Sequence, residues 1–571
     1  MRGLAAALLG CTLVVALGAA GSAGSSGARS ARPIQRVQRF IVVYQENHSF
    51  DNLYGSWEGV NGISRAPVAR IRQVNEHGKP LTCLYQNQPT LTSPPLAKVC
   101  SGEDAKGKPF DSHFRTKLFP IFRYIPPSAK TCYQERPGGC TLDLVHNFYQ
   151  SQFQLNGGRM NRFAVANSSA GLTLGYYATR KLPIYRYLHR RGHPRYVVAD
   201  RFFQAAFGGS FLNHMWLVSA RTPVWPNADN SGGKDDLHTV VDANGMPRTY
   251  PETPLYESPL GDKLVDGNLT ASCDPPASRP PTPPHVVCGD FVVNTSSPKF
   301  QPHVPKTPED ELVPPQRAPT IGTRLSAKRI SWAWYSQGWS NAAGRVGAPG
   351  WTNGTGPKPG TDGGCLDPGT ATGAKWPHCM NNAFVDHHQP FNYFAAFSPS
   401  TPTGRANRAA HLRDLASFTG ALHASRGRVC RLPRVSFVKL MGENEHPGNN
   451  KLKYKGEVPG NATVVSLLRR IEASPTCTRG ALIVFTYDEF GGSWDHISPP
   501  GPGRGGVFDK FGPGPRIPVI VLSPLLPRAF GVDSVPHDTT SIMATIEHRF
   551  GLRPVATRDA RVRDLSSVFS R

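Results

Sequence analysis

The sequence predicts an α/β fold: a mainly parallel sheet with helices on both faces and long loop insertions. Three observations carry this. Short β-branched runs alternate with stretches of helical apolar spacing, the pattern of strands joined by crossover helices. Two of the runs, Phe40-Ile-Val-Val-Tyr-Gln-Glu-Asn47 and Ala481-Leu-Ile-Val-Phe-Thr-Tyr-Asp-Glu489, stop abruptly in acid or amide groups. Buried parallel strands read this way when their carboxyl ends carry ligands. Finally, 57 Gly and 54 Pro among 571 residues require much of the chain to be loop, so one elaborated α/β core is expected.

Met-Arg-Gly-Leu, an apolar run to about Ala20 and a Gly/Ser exit have the three regions of a secretory signal. Residues 1–23 are therefore expected to be a signal peptide and the protein to be exported, periplasmic or secreted. A signal anchor is the alternative, because the apolar stretch falls only a little short of a membrane span. Residues 24–38 read as a basic linker, 39–556 as a single α/β domain and 557–571 as a C-terminal tail. After the first strand come loops to about Pro137 and a helical stretch near Leu142 to Phe163. Tyr196-Val-Val-Ala-Asp200 is a short strand leading through Phe207-Gly-Gly-Ser-Phe-Leu-Asn-His214 into a helix. Residues 222–319, rich in Pro, Asp and Gly with little periodicity, read as an insertion or cap over the site. Arg329 to Tyr335 and Val435 to Lys439 are further strands, and Ala409 to Ala424 and Ala462 to Ala473 are helical by apolar spacing. Pro518 to Pro524 is the last core strand and Thr539 to Phe550 the closing helix.

Ten cysteines remain once Cys11 leaves with the signal, and an even number in an exported chain suggests disulfides. Sequential stapling would pair Cys83/Cys100, Cys132/Cys140, Cys273/Cys288, Cys365/Cys379 and Cys430/Cys477, although spacing does not fix connectivity. No C-x-x-C or tight Cys/His cluster supports a zinc site instead. The net charge of +24 favours anionic substrates or surfaces, with peripheral contact to an anionic membrane or envelope as one form. Nucleic acid is not expected, because the basic residues are scattered rather than clustered with aromatics.

In open α/β sheets the site lies beyond the carboxyl ends of the strands, so Glu46, Asn47, Asp488 and Glu489 are expected to converge. Gathering like charges is costly unless something positive sits among them, and a divalent metal ion is the simplest occupant. For either segment alone, capping or a turn at a strand end explains the acids equally well. Gly208-Gly209-Ser210 lies between a strand and a helix. A hydroxyl there can act as a nucleophile beside the backbone N–H groups that hold an anion, although a helix N-cap serine has the same sequence. The elbow G-x-S-x-G fails, because Leu212 stands where the second glycine belongs. His146, His387, His388, His446 and His496 fall beyond strands or in polar loops, where imidazoles bind phosphoryl oxygens or protonate a leaving group.

Five blocks in order, Glu46-Asn-His-Ser-Phe-Asp51 with Gly55, Ser210-Phe-Leu-Asn213-His214, His387-His-Gln-Pro-Phe391, Asp488-Glu-Phe-Gly-Gly-Ser-Trp-Asp-His496 and Pro515-Arg-Ile-Pro-Val519, resemble the signature of the phosphoesterase family. That family contains non-specific phospholipases C and secreted acid phosphatases. The resemblance implies an alkaline-phosphatase-like α/β fold. It makes Glu46, Asn47, Asp488 and Glu489 metal ligands and Ser210 the nucleophile, itself touching the metal. It places His146, His388 and His446 around the phosphoryl group, His387 and His496 nearby, and Asn213 at the position of the family's asparagine after the nucleophile. Plant phospholipases usually have Thr in place of Ser210 and Arg in place of His214. The Ser-Phe-Leu-Asn-His form and Ile330-Ser-Trp-Ala-Trp-Tyr335 look closer to the acid phosphatase branch. The short stretch beyond the closing helix also favours that branch, since long bacterial phospholipases C carry extra C-terminal β domains.

The expected function is thus metal-dependent hydrolysis of phosphate monoesters through a phosphoserine, with a hard ion such as Mg, Ca or Mn suited to oxygen ligands. A phospholipase C acting on headgroup phosphodiesters is the alternative, and an inactive envelope or polyanion-binding protein a second. If histidines bind phosphate as imidazolium, activity should peak below neutral pH. Gly501-Pro-Gly-Arg-Gly-Gly506 fits a dinucleotide fingerprint formally but follows Pro499-Pro500 rather than a strand, so it reads as a loop.

Overall fold

A computed structural model describes residues 33–571 apart from 87–91, 127–142, 227, 229–236, 304–306, 346, 352–383, 426, 428 and 442–456. The expected signal peptide, His446 and the cysteines at 132, 140, 365 and 379 lie outside the described residues. Residues 33–571 belong to one contact unit.

Eight strands form the central sheet: β1 (Arg39–Gln45), β2 (Tyr196–Ala199), β3 (Trp332–Ser336), β4 (Leu412–Asp414), β5 (Val435–Lys439), β6 (Ala481–Tyr487), β7 (Val519–Leu522) and β8 (Phe530–Asp533). Their order across the sheet is β4-β3-β5-β1-β6-β7-β2-β8. Neighbours are parallel except where β7 runs against both β6 and β2. Every residue of β6 is buried, as are the last six of β1. Strands covered on both faces need continuous Val, Ile, Leu and Phe rather than alternation, which is the composition of these two runs.

Strands β1 and β6 are direct neighbours, and their register runs from Arg39 opposite Ala481 to Gln45 opposite Tyr487. The next residues on each, Glu46-Asn47 and Asp488-Glu489, therefore emerge side by side at the carboxyl edge. This is the convergence that the two apolar runs imply.

The helices used below are α1 (Phe148–Leu155), α2 (Ser210–Ser219), α3 (Pro402–His411), α4 (Leu415–Ala424), α5 (Glu457–Glu472) and α6 (Thr540–Phe550). The helix expected over 409–424 is two helices, α3 and α4, separated by edge strand β4. Leu412 and Asp414 point inward while Arg413 is exposed, a period of two that a helix cannot satisfy. Asp414 then caps α4 by accepting from the Ala416 N–H. The helical stretch expected from 142 to 163 is shorter in the described residues, where α1 ends in the left-handed Asn156.

Residues 222–319 are largely irregular and brace two loops. Asn294 Oδ1 accepts from the Phe148 N–H at 3.1 Å, and its amide donates to Asp266 Oδ1 at 2.9 Å. The Gln150 amide also donates to Asp266, at 3.1 Å. Ser297 Oγ donates to Asp386 Oδ2 at 2.8 Å, fixing the loop that carries His387 and His388. Residues 557–571 pack on the sheet edge: Leu565 and Val568 are buried, and Ser567 donates to Asp533 of β8.

Disulfides join Cys83 to Cys100, Cys273 to Cys288 and Cys430 to Cys477. Among the described residues no helix is long and apolar enough to cross a membrane.

Candidate active site

Four segments meet at the carboxyl edge of β1, β5 and β6. Ser210 opens α2, and its hydroxyl lies 3.3 Å from Glu46 Oε2 and 3.2 Å from Asn47 Oδ1. The N-cap is Gly209, whose lack of a side chain leaves the first-turn N–H groups of a ten-residue helix without a side-chain cap. An uncapped helix start suits an anion. Gly208 has φ of +87°, and a Cβ there would stand 3.0 Å from the Phe148 backbone. Glycine is required for both reasons, and the turn aims Ser210 at Glu46.

Asn213 lies one helical turn on and is fully buried. Its Oδ1 accepts from the Ala206 N–H at 3.0 Å, and its amide donates to the carbonyls of Ala206, Gly208 and Gly209 at 3.2 to 3.3 Å. It holds the loop that presents Ser210 rather than facing the Ser210 hydroxyl.

The acids are fully buried. Asp488 Oδ1 accepts from the N–H groups of Asn47 at 3.4 Å and Glu489 at 2.8 Å. Glu489 Oε2 accepts from the Gly491 N–H at 2.7 Å. Gly491 has φ of +59°, and a Cβ on it would fall 2.6 Å from the Asn47 carbonyl oxygen, so the close approach of the two loops depends on glycine. Asp488 Oδ2 and Glu489 Oε1 are buried without a hydrogen-bond partner among the described residues. Burial and the neighbouring Asp488 push the Glu489 carboxyl well above its ordinary range.

Histidines surround these acids. His146 Nδ1 lies 2.5 Å from the Leu144 carbonyl oxygen, which can only accept, so Nδ1 carries a proton. Its Nε2 is 3.4 Å from the Asn47 amide and 3.6 Å from Glu489 Oε1. His388 Nδ1 lies 3.2 Å from Glu46 Oε1. His387 is part-exposed beside it, with ring centroids 4.5 Å apart.

The sequence left two members of the site unassigned. Lys439, the last residue of β5 and 1% exposed, places its ammonium on Glu46 Oε1. His214 stacks on His388 with centroids 4.7 Å apart and planes 2° from parallel. Its Nδ1 lies 2.8 Å from the Ser210 carbonyl oxygen and 3.7 Å from Asp488 Oδ2. Burial first, then the charge of Lys439, hold the His214 imidazole well below its usual range. Lysine at a strand end commonly faces solvent, and nothing in Val435-Ser-Phe-Val-Lys439 distinguishes this one. His214 carried a signal in its i,i+4 spacing from Ser210.

His496 belongs to a neighbouring network. Its Nδ1 meets Asp51 Oδ2 at 2.5 Å and its Nε2 meets Asn61 Oδ1 at 3.1 Å. Arg516, fully buried, donates to Asp495 Oδ1 at 2.8 Å and to Asp51 Oδ1 at 3.0 Å. Asp51, Asp495 and His496 have metal-ligand spacing, but the Arg516 guanidinium already supplies the positive charge there.

A cation fits beside Ser210. Three buried carboxylates, Glu46, Asp488 and Glu489, face one buried ammonium, and two of their oxygens lack hydrogen-bond donors. Glu46, His214 and His388 also have ligand spacing, yet Lys439 occupies the Glu46 oxygen that faces His388. The oxygen set of Glu46 Oε2, Asn47 Oδ1, Asp488, Glu489 and Ser210 is the better host for a hard divalent ion.

Comparison with known proteins agrees with the sequence blocks. The family model described as Phosphoesterase family matches residues 37–553. Phospholipase C A of Mycobacterium tuberculosis is 32% identical over 169 residues, covering 25% of this chain and 30% of that protein. Phospholipase C B of the same organism is 34% identical over 167 residues, covering 24% and 30%. The matched region thus spans less than a third of either relative. Among solved structures, Ps i-CgsB overlaps 44% of this chain and 57% of its own at 12% identity and a TM-score of 0.23, an overlap too slight to support an argument.

Proposed function

This chain belongs to the phosphoesterase family, and from that premise we propose that it hydrolyses phosphate esters in two displacements through a phosphoserine at Ser210. The observation that carries the reading is the Ser210 hydroxyl set between Glu46 Oε2 and Asn47 Oδ1, at the start of an uncapped helix. Ser210 Oγ attacks phosphorus in line and the bond to the leaving alkoxide breaks. The hydroxyl proton passes to Glu46 Oε2, the carboxylate oxygen in its reach. First-turn N–H groups of α2 and the Asn47 amide donate to the non-bridging oxygens. His146, carrying a proton on Nε2 as well as Nδ1, protonates the alkoxide in the first displacement; in the second, its Nε2 takes a proton from the attacking water, the phosphorus–Oγ bond breaks and Glu46 Oε2 returns its proton to Ser210 Oγ. A divalent ion on Glu46, Asn47, Asp488 and Glu489 would supply charge neutralisation on phosphoryl oxygens and a lowered Ser210 pKa. Lys439 and His388 hold the Glu46 carboxylate in position, and Asn213 holds the turn before Ser210.

The substrate we favour is a phosphate monoester, on the Ser210 to His214 and Ile330 to Tyr335 blocks that resemble acid phosphatases. The phosphodiester reading is favoured by a separate observation, the identity with two mycobacterial proteins named phospholipase C. Export is part of the proposal, supported by three disulfides, which persist in oxidising compartments. The test is turnover of p-nitrophenyl phosphate and p-nitrophenylphosphorylcholine in parallel, with Ser210→Ala as control. Monoester turnover lost in the variant supports a phosphatase. Preference for the choline diester moves the assignment to phospholipase C, and Ser210-independent turnover of both defeats the mechanism.

A further inference from the structure

A cavity of about 430 Å³ has no residue of the Ser210 site among its described lining. Its floor is aromatic and apolar. Phe114 packs against Phe119 and Tyr124 with ring centroids 4.7 and 4.8 Å apart, and Leu96 completes the surface. Its rim carries Arg115, Lys117 and Arg123, all exposed, with His113 beside them and no acidic residue among the described residues of the lining.

The cavity is built rather than a gap between loops. His113 Nδ1 lies 2.8 Å from the Ala97 carbonyl oxygen, and Arg115 donates to the Val99 carbonyl at 2.6 Å. These bonds fix the 97–99 wall to the hairpin Cys100–Glu103 and Pro109–Ser112, and Cys83–Cys100 anchors its base. Neither Lys117 nor Arg123 makes an ion pair among the described residues. Val99, 45% exposed, stands at the lip.

Three cations over an apolar floor match one ligand chemistry. An inorganic anion would satisfy the rim and leave the floor wet. A neutral apolar molecule would fill the floor and leave the rim charges uncompensated. The volume lies in the range of small-molecule pockets. We propose that this cavity binds an anionic amphiphile, with a phosphate head between Arg115, Lys117 and Arg123 and the apolar body on Phe114, Phe119 and Leu96. The amphiphile comes from an anionic bilayer or from solution, and the chemistry is the same for both.

The experiment measures flotation of the full chain, carrying Ser210→Ala so that lipid is not consumed, with phosphatidylglycerol vesicles and with neutral phosphatidylcholine vesicles. A second arm titrates monomeric dihexanoylphosphatidylglycerol. The rim variant is R115E/K117E/R123E, the floor variant Phe119→Asp, and the charge-matched control R317E/K328E/R405E, at exposed positions elsewhere. Affinity for the monomer is expected to fall at least about tenfold in the rim and floor variants and to hold within about threefold in the control. Vesicle binding that follows the same order assigns the source to a bilayer. Monomer binding without vesicle binding assigns it to solution. No binding of the monomer by the parent chain, or equal losses in the rim and control variants, overturns the proposal. Turnover of p-nitrophenyl phosphate by the rim variant with Ser210 intact is expected to be unchanged, so failure here is separable from failure of the phosphoserine mechanism.

Discussion

Lys439 and Glu46, 393 positions apart in sequence, form a buried ion pair on adjacent strands, with the Lys439 ammonium on Glu46 Oε1. The pair leaves Oε2 facing the Ser210 hydroxyl. One oxygen of this carboxylate is thus held by the lysine and the other is left at the hydroxyl of the proposed nucleophile.

Lys439→Met is expected to destabilise the protein by about 3 to 5 kcal/mol, because it strands a buried carboxylate without its cation. Denaturant unfolding measures this. A loss under about 1 kcal/mol would mean that Glu46 has other compensation.

Glu489→Gln removes a buried carboxyl that resists ionisation and whose Oε1 has no hydrogen-bond donor among the described residues. The metal-stripped variant is expected to melt higher than the metal-stripped parent. Adding Ca or Mn should raise the parent's Tm, by about 2.7 kcal/mol of stability at a hundredfold excess over Kd, and leave the variant unmoved. An equal rise in both would remove Glu489 from the ligand set.

Arg516→Met is expected to cost about 3 to 5 kcal/mol, since Asp51 and Asp495 would both lose their buried partner. His496→Gln should lower stability with kcat of the folded protein little changed, because both ring nitrogens are engaged by Asp51 and Asn61. His146→Ala should instead lower kcat about 100-fold or more, the scale of a general acid. Parallel kinetics and melting curves separate the two. A kcat loss in His496→Gln matching that of His146→Ala would place His496 at the phosphoryl group.

Glu547 in α6 gives a pH dependence independent of metal. Burial first, then the adjacent Asp559, push its carboxyl from the ordinary 4.5 up to about 9. The folded state therefore holds a proton that the unfolded state releases. Its stabilising effect is full below about pH 4.5 and is lost as pH rises through about 9. Glu547→Gln should then gain Tm relative to the parent steadily from pH 5 to pH 9. A difference constant across that range would contradict the raised pKa.

Much of the frame was legible because its signals are local. Strands β1 and β6 announce themselves as apolar runs ending in Glu46-Asn47 and Asp488-Glu489, and the convergence of those ends follows from the carboxyl-edge rule, whereas their direct pairing comes from the structure. The reversed direction of β7 was not legible, since Val519–Leu522 has the same composition whichever way it runs. Strand β8 contains Gly531 and only four residues, too short for a period, and β4 hides between two helices. In the candidate site, the meeting of the acids with Ser210 was readable from strand ends and a turn, and the placement of His146 beside them from the family resemblance. The role of Lys439 was not, because its partner is 393 residues away and burial of a lysine has no sequence mark.

The most direct test of the account is covalent. The protein is mixed with phosphorus-labelled p-nitrophenyl phosphate, quenched in acid within one turnover, and digested for peptide mapping. The account predicts stoichiometric label on the peptide containing Ser210, and neither label nor turnover in Ser210→Ala. Undiminished turnover in that variant, or label on another residue, would contradict it.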